Sequence, residues 1–496
     1  MERPNILLIT TDQQRFDTIN ALGNPHIYTP HLNWLTDNGI TFTRCYSDSP
    51  ICMPARATIM TGKHGYTLGI TGNNSSITPL AEHLTLPALL TRNGYQTRAQ
   101  GKMHFHPIRS NYGFEHMEIP MDYYREHNRN ELTLGIPKAH GVGENEIEPV
   151  ISTVHETESL TYWTVKRSID FLETRDDTRP FFLWTSFTKP HPPFDPCYNY
   201  WNLYSGKDVP PPVTGDWSQR PEDIPQGFIK PTYVLNNAYR MSEAQLADVK
   251  RAYYACITQI DYTLGLLFAR MREMNILDNT LIIFTSDHGE ILGDHRMAAK
   301  CHFLEGSAHI PMIIKPPASY KFDDAKKQQA DTAGIMPPSG FNFTGMKCDQ
   351  LADLSDVMPT ILDIAGIEIP SDMDGKSLTD AVKKPAPEKT FYGASTGFLC
   401  IMENSYKYQW TNAGGGELLF NLANDPMEKI NLVKSPAEAA RLAEFRKKLV
   451  DFCIKYKLEK VENGKIQHGP APTGPNDSGS KWPGFHSTVV LTDVLH

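Results

Sequence analysis

Two acidic residues, each placed just after an apolar, β-branched run, set the chemical question. Asp12, followed by Gln13, comes after Asn5 to Thr11 (Asn-Ile-Leu-Leu-Ile-Thr-Thr), and Asp287-His288 comes after Asn279 to Thr285 (Asn-Thr-Leu-Ile-Ile-Phe-Thr). Carboxylate and amide oxygens with one imidazole form a donor set for a divalent cation, and a phosphate or sulfate ester nearby would gain from its charge. Taken singly, each aspartate also reads as a helix N-cap; two acidic strand ends with a histidine favour the metal. Other groups of matching chemistry recur. Lys102 and His104 stand two apart in Gly-Lys-Met-His-Phe-His, so an extended backbone points both the same way. His191 sits in the proline-bracketed Lys189-Pro190-His191-Pro192-Pro193, and Lys300 follows Asp294-His295-Arg296. Such cations clamp a tetrahedral anion, and histidines move protons near neutral pH. Cys52-Met53-Pro54-Ala55-Arg56 adds a thiol ahead of a proline-started helix, a pattern that by residue type alone fits a buried structural cysteine.

The elements that must carry these groups alternate. Asn5 to Thr11, Pro180 to Ser186, Asn279 to Thr285 and Ile310 to Lys315 read as buried strands. Leu86 to Asn93, closed by Gly94, Asp248 to Met274, and Asp356 to Gly366 read as helices. Strands alternating with helices predict an α/β core around a large, mainly parallel or mixed sheet flanked by helices. Ligands of such sheets bind beyond the carboxyl ends of the strands, so Asp12, His191 and Asp287-His288 are expected to converge.

The 496-residue chain exceeds what one hydrophobic core usually holds. The organisation expected is a catalytic α/β domain over 1–384, a smaller C-terminal antiparallel α+β domain over 385–459, and an extended tail over 460–496 rich in Gly, Pro and Ser. The second domain is read from short strand-like runs around Phe391-Tyr392, Gly397 to Met402, Tyr406 to Trp410 and Glu417 to Asn421, then a helix from Ala437 to Lys455. Two long irregular stretches, Pro193 to Pro231 and Pro316 to Asp349, interrupt the core. A net charge of −9 argues against nucleic acid as a partner, and no run approaches the roughly 20 apolar residues that span a bilayer. Eight cysteines without a Cys-x-x-Cys pair argue against a zinc ribbon or a dense disulfide framework and leave room for one or two bridges. Met1 to Ile9 holds too short an apolar run for a signal peptide, giving a cytoplasmic expectation, or a periplasmic or secreted one if a signal has been removed.

Ordered blocks along the whole chain resemble the formylglycine-dependent sulfatases of the alkaline phosphatase superfamily. They are Arg-Pro-Asn-Ile-Leu-Leu-Ile-Thr-Thr-Asp-Gln, Cys-Met-Pro-Ala-Arg (the C-x-P-x-R pattern), Gly-Lys-Met-His-Phe, Lys-Pro-His-Pro-Pro-Phe, Thr-Ser-Asp-His-Gly-Glu-Ile-Leu-Gly-Asp-His, and Pro-Thr-Ile-Leu-Asp-Ile-Ala-Gly, with Leu419 to Leu432 matching the family's C-terminal sheet. The resemblance implies an alkaline-phosphatase-like fold and a sulfuric ester hydrolase. Cys52 would be oxidised by a separate maturase to formylglycine (3-oxoalanine), whose hydrate is both nucleophile and metal ligand. Asp12, Gln13, Asp287 and His288 would complete the metal shell, and Arg56 would hold the hydrate. Lys102 and Lys300 would bind sulfate oxygens, His191 would protonate the leaving alcohol, and His104 would deprotonate the second hydroxyl.

Many relatives carry Asp where this chain has Gln13 and Asn where it has His288, so calcium is the family's expectation while manganese or zinc competes. Segments such as Lys-Pro-His-Pro-Pro-Phe are similar to those of bacterial glycosaminoglycan and uronate 2-O-sulfatases. The expected substrate is accordingly a small sulfated saccharide, with Arg15, Arg98, Arg109, Arg296, His302 and His309 as candidate partners of a uronate carboxylate and Tyr198, Tyr200, Trp201 and Tyr204 as candidate sugar platforms. Alternatives are a choline or alkyl sulfatase, a phosphonate monoester or phosphodiester hydrolase of the same superfamily, or a silent binding protein in which Cys52 is never converted. Oligomeric state stays open.

Overall fold

A computed structural model describes residues 3–73, 80, 83–127, 142, 145–228, 238, 241–320, 345–379 and 389–470. Its centre is an eight-stranded sheet of β1 (Asn5–Asp12), β2 (Ile40–Phe42), β4 (Gln96–Gly101), β5 (His116–Glu118), β6 (Phe181–Pro190), β7 (Thr280–Ser286), β8 (Met312–Lys315) and β9 (Met346–Cys348), in the order β5-β4-β6-β1-β7-β8-β2-β9. A separate parallel pair joins β3 (Cys45–Tyr46) to β10 (Ala352–Asp353).

The continuous apolar character of β1 has a direct cause: both of its faces are covered. Leu7 and Ile9 point into one core with Leu172, Leu264 and Phe268 from the helices Leu160–Thr174 and Glu243–Glu273. Ile6 and Leu8 point into another with Ile59, Leu90 and Ile361 from the helices Cys52–Thr61, Leu86–Arg92 and Val357–Ile364. Alternate side chains of one strand therefore each find an apolar layer, as a central strand requires. The 31-residue helix Glu243–Glu273 starts at Ser242, whose hydroxyl accepts from the Gln245 amide in a capping box.

Pairing from β5 through β7 is parallel, but β8 runs antiparallel to both β7 and β2. The sheet is thus mixed, because no crossover helix of full length links β7 to β8; a 3-10 turn, Asp294–Arg296, and the short helix Glu305–Ala308 lie between them. C-terminal to it, β11 (Phe391–Ser395), β12 (Phe398–Glu403), β13 (Tyr406–Thr411) and β14 (Glu417–Asn421) form an antiparallel meander. Asn404 and Ser405, both at positive φ, make the two-residue turn between β12 and β13. One face of this sheet packs on the helix Ala439–Tyr456 and the other against Ile51, Cys301, Phe303 and Leu304 of the larger body.

The tail expected to run extended from residue 460 instead opens as a hairpin, β15 (Val461–Glu462) and β16 (Lys465–Ile466), turned by Asn463-Gly464 at positive φ. Residues 471–496 lie outside the described residues, as does 321–344 of the second irregular stretch. The first such stretch contains a helix, Tyr198–Tyr204. None of the eight cysteines forms a disulfide, and no helix among the described residues is long and apolar enough to cross a membrane.

Gly101 shows how tightly strand ends meet. Its φ is +93°, and a Cβ there would lie 2.0 Å from the Ser186 carbonyl oxygen of β6. The Lys102 amide donates to that same carbonyl at 2.9 Å. Gly101→Ala should therefore cost on the order of 1–3 kcal/mol of stability, read by chemical denaturation, since it combines backbone strain with a backbone clash. An alanine variant as stable as the parent would contradict this packing.

Candidate active site

Four adjacent parallel strands, β4-β6-β1-β7, end on the same side, and each delivers a group. Lys102 follows β4, His191 follows β6, Asp12 ends β1, and Asp287-His288 follows β7. The helix Cys52–Thr61 meets them with its first residue. Its positive dipole end thereby faces the cluster at Cys52. Arg56 lies one turn further along the same helix face, and Gly62 closes the helix at φ +65°.

The ligand atoms of Asp12, Cys52, Asp287 and His288 all lie within 4.8 Å of one another, and all four residues are buried. Cys52 Sγ is 3.2 Å from His288 Nε2 and 3.7 Å from Asp12 Oδ1. His288 Nδ1 lies 3.0 Å from the Gly289 carbonyl, which orients the ring and leaves Nε2 facing the thiol. His288 Nε2 is 3.7 Å from an oxygen of Asp12 and of Asp287 alike.

Positive charge surrounds the two carboxylates. Lys102 Nζ is 2.5 Å from Asp12 Oδ2, and Arg56 donates through Nε to Asp287 Oδ2 at 3.0 Å while its NH2 lies 3.6 Å from Asp12. The remaining Arg56 contacts are the Lys102 carbonyl at 2.6 Å and the Ser186 hydroxyl at 2.8 Å. Burial opposes ionisation of Asp12, yet Lys102, His191, Lys300 and Arg56 hold its carboxyl well below the usual range. Asp287 goes the other way: burial and then the neighbouring Asp12 charge push its carboxyl up. Burial and the two lysines Lys300 and Lys102 hold His191 well below an ordinary imidazole. Burial and Asp12 resist ionisation of the Cys52 thiol, but Lys300, Lys102 and His288 draw it well down.

Gln13 joins the cluster through its neighbours. Its amide oxygen accepts from Lys300 Nζ at 2.5 Å, its backbone N–H donates to Asp287 Oδ1 at 3.1 Å, and its φ of 74° is the left-handed kink by which β1 turns into the site. His191 Nδ1 lies 2.9 Å from the Pro192 carbonyl. His104, two residues past Lys102, has a buried Nδ1 with no hydrogen-bond partner among the described residues. Two carboxyl groups, an imidazole, an amide oxygen and the atom carried by residue 52 suit a hard or borderline divalent cation.

Three supporting residues escape sequence reasoning. Ser186 receives Arg56 and donates to the Lys102 carbonyl at 2.5 Å, Ser286 donates to the Thr11 and His288 carbonyls, and Glu290 takes the Gln13 amide N–H. The serines are polar strand ends; Glu290 stands inside the Thr-Ser-Asp-His-Gly-Glu block, where its residue type alone assigns it no partner. The cations considered for a uronate carboxylate are engaged elsewhere. Arg15 pairs with Asp17 and Asp294, Arg98 with Glu118, Arg109 with Asp122, and Arg296 donates to the Gln219 carbonyl. His309 meets Glu305 and the Thr43 carbonyl between the rings of Phe16 and Tyr46, and His302 is buried against Phe228 and Phe398. Of the aromatics considered as sugar platforms, Tyr204 is fully buried and Tyr198 exposed.

Residues 4–367 match the sulfatase family model, and residues 335–455 match the model of the N-sulphoglucosamine sulphohydrolase C-terminal region. The chain is 30% identical to an arylsulfatase of Clostridium perfringens over 489 residues, covering 90% of this chain and 94% of that protein. The phosphonate monoester hydrolase of Agrobacterium radiobacter superposes with a TM-score of 0.75 at 24% identity, covering 94% of this chain and all (100%) of that one. A protein solved in complex with its substrate D-glucosamine-2-N,6-O-disulfate superposes with a TM-score of 0.71 at 22% identity, covering 92% and 98%. The chain belongs to the sulfatase family and is a sulfuric ester hydrolase. That family generally uses formylglycine and a divalent metal.

Arg56 bridges both buried carboxylates, so Arg56→Met in the metal-free protein should destabilise it by about 3–5 kcal/mol near neutral pH, measured by denaturant unfolding. The Asp12 carboxyl is depressed in the fold, so its contribution is present at neutral pH and is lost as pH falls through its folded value. Without Arg56 the carboxylates protonate more readily, and the difference between variant and parent should shrink as pH drops toward about 4 and below. A gap independent of pH would rule out this electrostatic role.

Proposed function

We propose that the chain removes sulfate from a small sulfated carbohydrate, with Cys52 oxidised to formylglycine as its nucleophile. The observation that carries this reading is the single cluster: Cys52 at the helix start, 3.2 Å from His288 and 3.7 Å from Asp12, with Lys102 directly on Asp12. The thiol sulfur marks where the oxygens of a hydrated aldehyde would stand. Oxidation by a maturase would leave an aldehyde there, and addition of water to it would supply two hydroxyls, one to attack sulfur and one whose deprotonation expels sulfate. A divalent cation held by Asp12, Gln13, Asp287, His288 and residue 52 would supply Lewis acidity toward the ester. Calcium follows the family, and the imidazole of His288 admits manganese or zinc.

The remaining roles belong to protein groups. Lys102 and Lys300 bind the sulfate oxygens and offset charge as the ester bond breaks. Asp287, its carboxyl raised by burial and Asp12, accepts the proton of the attacking hydroxyl. His191, assisted by Lys300, protonates the departing sugar oxygen once the bound anionic ester offsets the two lysines that add to burial in keeping its imidazole unprotonated. His104, with its unpaired buried Nδ1, takes the proton of the second hydroxyl. Arg56, held by Asp287 and Ser186, keeps the hydrate in place.

The saccharide is supported by the neighbour solved with a glucosamine disulfate, with a uronate 2-O-sulfate as one member of the class. A second reading, hydrolysis of a phosphonate monoester, draws on the similar fold of the Agrobacterium radiobacter enzyme. The Lys102-Met103-His104 segment supports the sulfate monoester, since phosphonate hydrolases of this kind tend to carry Tyr and Thr at the positions of Lys102 and His104.

Sulfate release should be followed on a panel of sulfated disaccharides beside choline sulfate and a phenyl phosphonate. A sulfated saccharide is expected to be the best substrate, and no release from any sugar would end the saccharide reading. Within the same assay, His191→Ala should slow a sugar sulfate by about 10²–10⁴-fold but 4-nitrophenyl sulfate much less, because nitrophenolate leaves without a proton. Equal losses on both substrates would remove His191 from that role. A tryptic peptide bearing unmodified Cys52 in active protein from its own host would refute the formylglycine step.

A further inference from the structure

The metal reading above requires the oxygen of the Gln13 amide, and not its nitrogen, to face the site. The Gln13 backbone cannot decide this. It is already fixed by the Asp287 contact and by Tyr253, whose hydroxyl donates to the Gln13 carbonyl at 2.6 Å, while the amide at the end of the side chain remains free to rotate. Fully buried Glu290 removes that freedom. One of its oxygens accepts from Gln13 Nε2, and the other accepts from the backbone N–H groups of Leu292 at 3.0 Å and Ala299 at 2.5 Å.

A carboxylate can only accept and the Lys300 ammonium can only donate. Gln13 lies between them, with Nε2 on Glu290 and Oε1 on Lys300. Only one of the two amide rotations satisfies both neighbours. The two backbone amides that grip Glu290 span the loop ending at Lys300, so the same carboxylate also sets the approach of that lysine. No role in the proposed chemistry otherwise uses Glu290.

We propose that Glu290 is a positioning residue that orients the Gln13 amide, presenting its oxygen to the cation and to Lys300; this rests on the metal reading of the site. Groups that orient a ligand from behind commonly govern metal affinity as strongly as some ligands do.

Glu290→Gln tests this with almost no change of shape. The new amide still accepts from Leu292 and Ala299 but turns an NH2 toward Gln13, so the Gln13 amide must rotate and point its own NH2 at the site. Calcium and manganese are titrated calorimetrically into metal-stripped protein whose Cys52 has been converted. E290Q should bind these ions about 10–100-fold more weakly than the parent. Adding Gln13→Glu to E290Q should recover most of that affinity, because the introduced carboxylate accepts from the new amide and again offers oxygen to the site. Gln13→Glu alone sets two carboxylates face to face and should not match the parent. Thermal unfolding of each variant separates these effects from a loss of fold.

E290Q binding as tightly as the parent, or a folded double variant as weak as E290Q, overturns the proposal. If E290Q fails to fold, the double variant decides alone: tight binding supports orientation, and weak binding or failure to fold overturns it. A parent that binds neither ion would instead overturn the metal reading itself.

Discussion

Asp12 and Asp287 share one buried space, and the rest of the site follows from that. Two unit charges about 4 Å apart repel by about 4 kcal/mol at an effective dielectric near 20, so the pair cannot stand unaccompanied. Arg56 touches both, Lys102 sits on one, and the positive end of the Cys52–Thr61 helix faces them. The opposite shifts of the two carboxyls express the same crowding: Asp12 stays charged at the expense of Asp287. A chain of formal charge −9 thus concentrates cations where an anionic ester must bind.

Holding those charges in place takes more than the strand ends. The segment after Lys300 is tied down from the C-terminal sheet: the Phe303 N–H donates to Gln409 at 3.0 Å and the Glu305 N–H to Glu428 at 2.7 Å. Lys407, fully buried, joins Glu305 at 2.6 Å to Glu428 at 2.7 Å. From the other side, the Cys301 N–H donates to the Pro50 carbonyl, two residues before Cys52. The small sheet is therefore continuous with the loop that carries a site lysine, and Gly393 lacks a side chain where the Phe303 ring packs, a Cβ there falling 2.2 Å from it.

What could be read from the sequence was what single residues announce. β1, β6 and β7 were legible because strands covered on both faces have unbroken apolar runs, and Asp12, His191 and Asp287 were legible as polar interruptions at their ends. Their convergence followed from the sheet rule and holds in the fold. The antiparallel direction of β8 was not legible, since Met-Ile-Ile-Lys carries no sign of which way its neighbour runs. The hairpin 461–466 was hidden by the composition of the tail around it, although Asn463-Gly464 is a turn signal. Glu290 could not be found because its role depends on Gln13, far away in the chain. Arg15 and His309, which looked available for a substrate carboxylate, are occupied by the sequence neighbours Asp17 and Glu305 and by Asp294, which only the fold brings near.

The most direct measurement of the central claim is anomalous diffraction from crystals of the converted protein soaked in manganese. The account predicts one strong peak among the Asp12, Asp287 and His288 side chains, the Gln13 amide oxygen and the oxygens of residue 52. A peak elsewhere, with the four buried groups left to Arg56 and Lys102 alone, would contradict it.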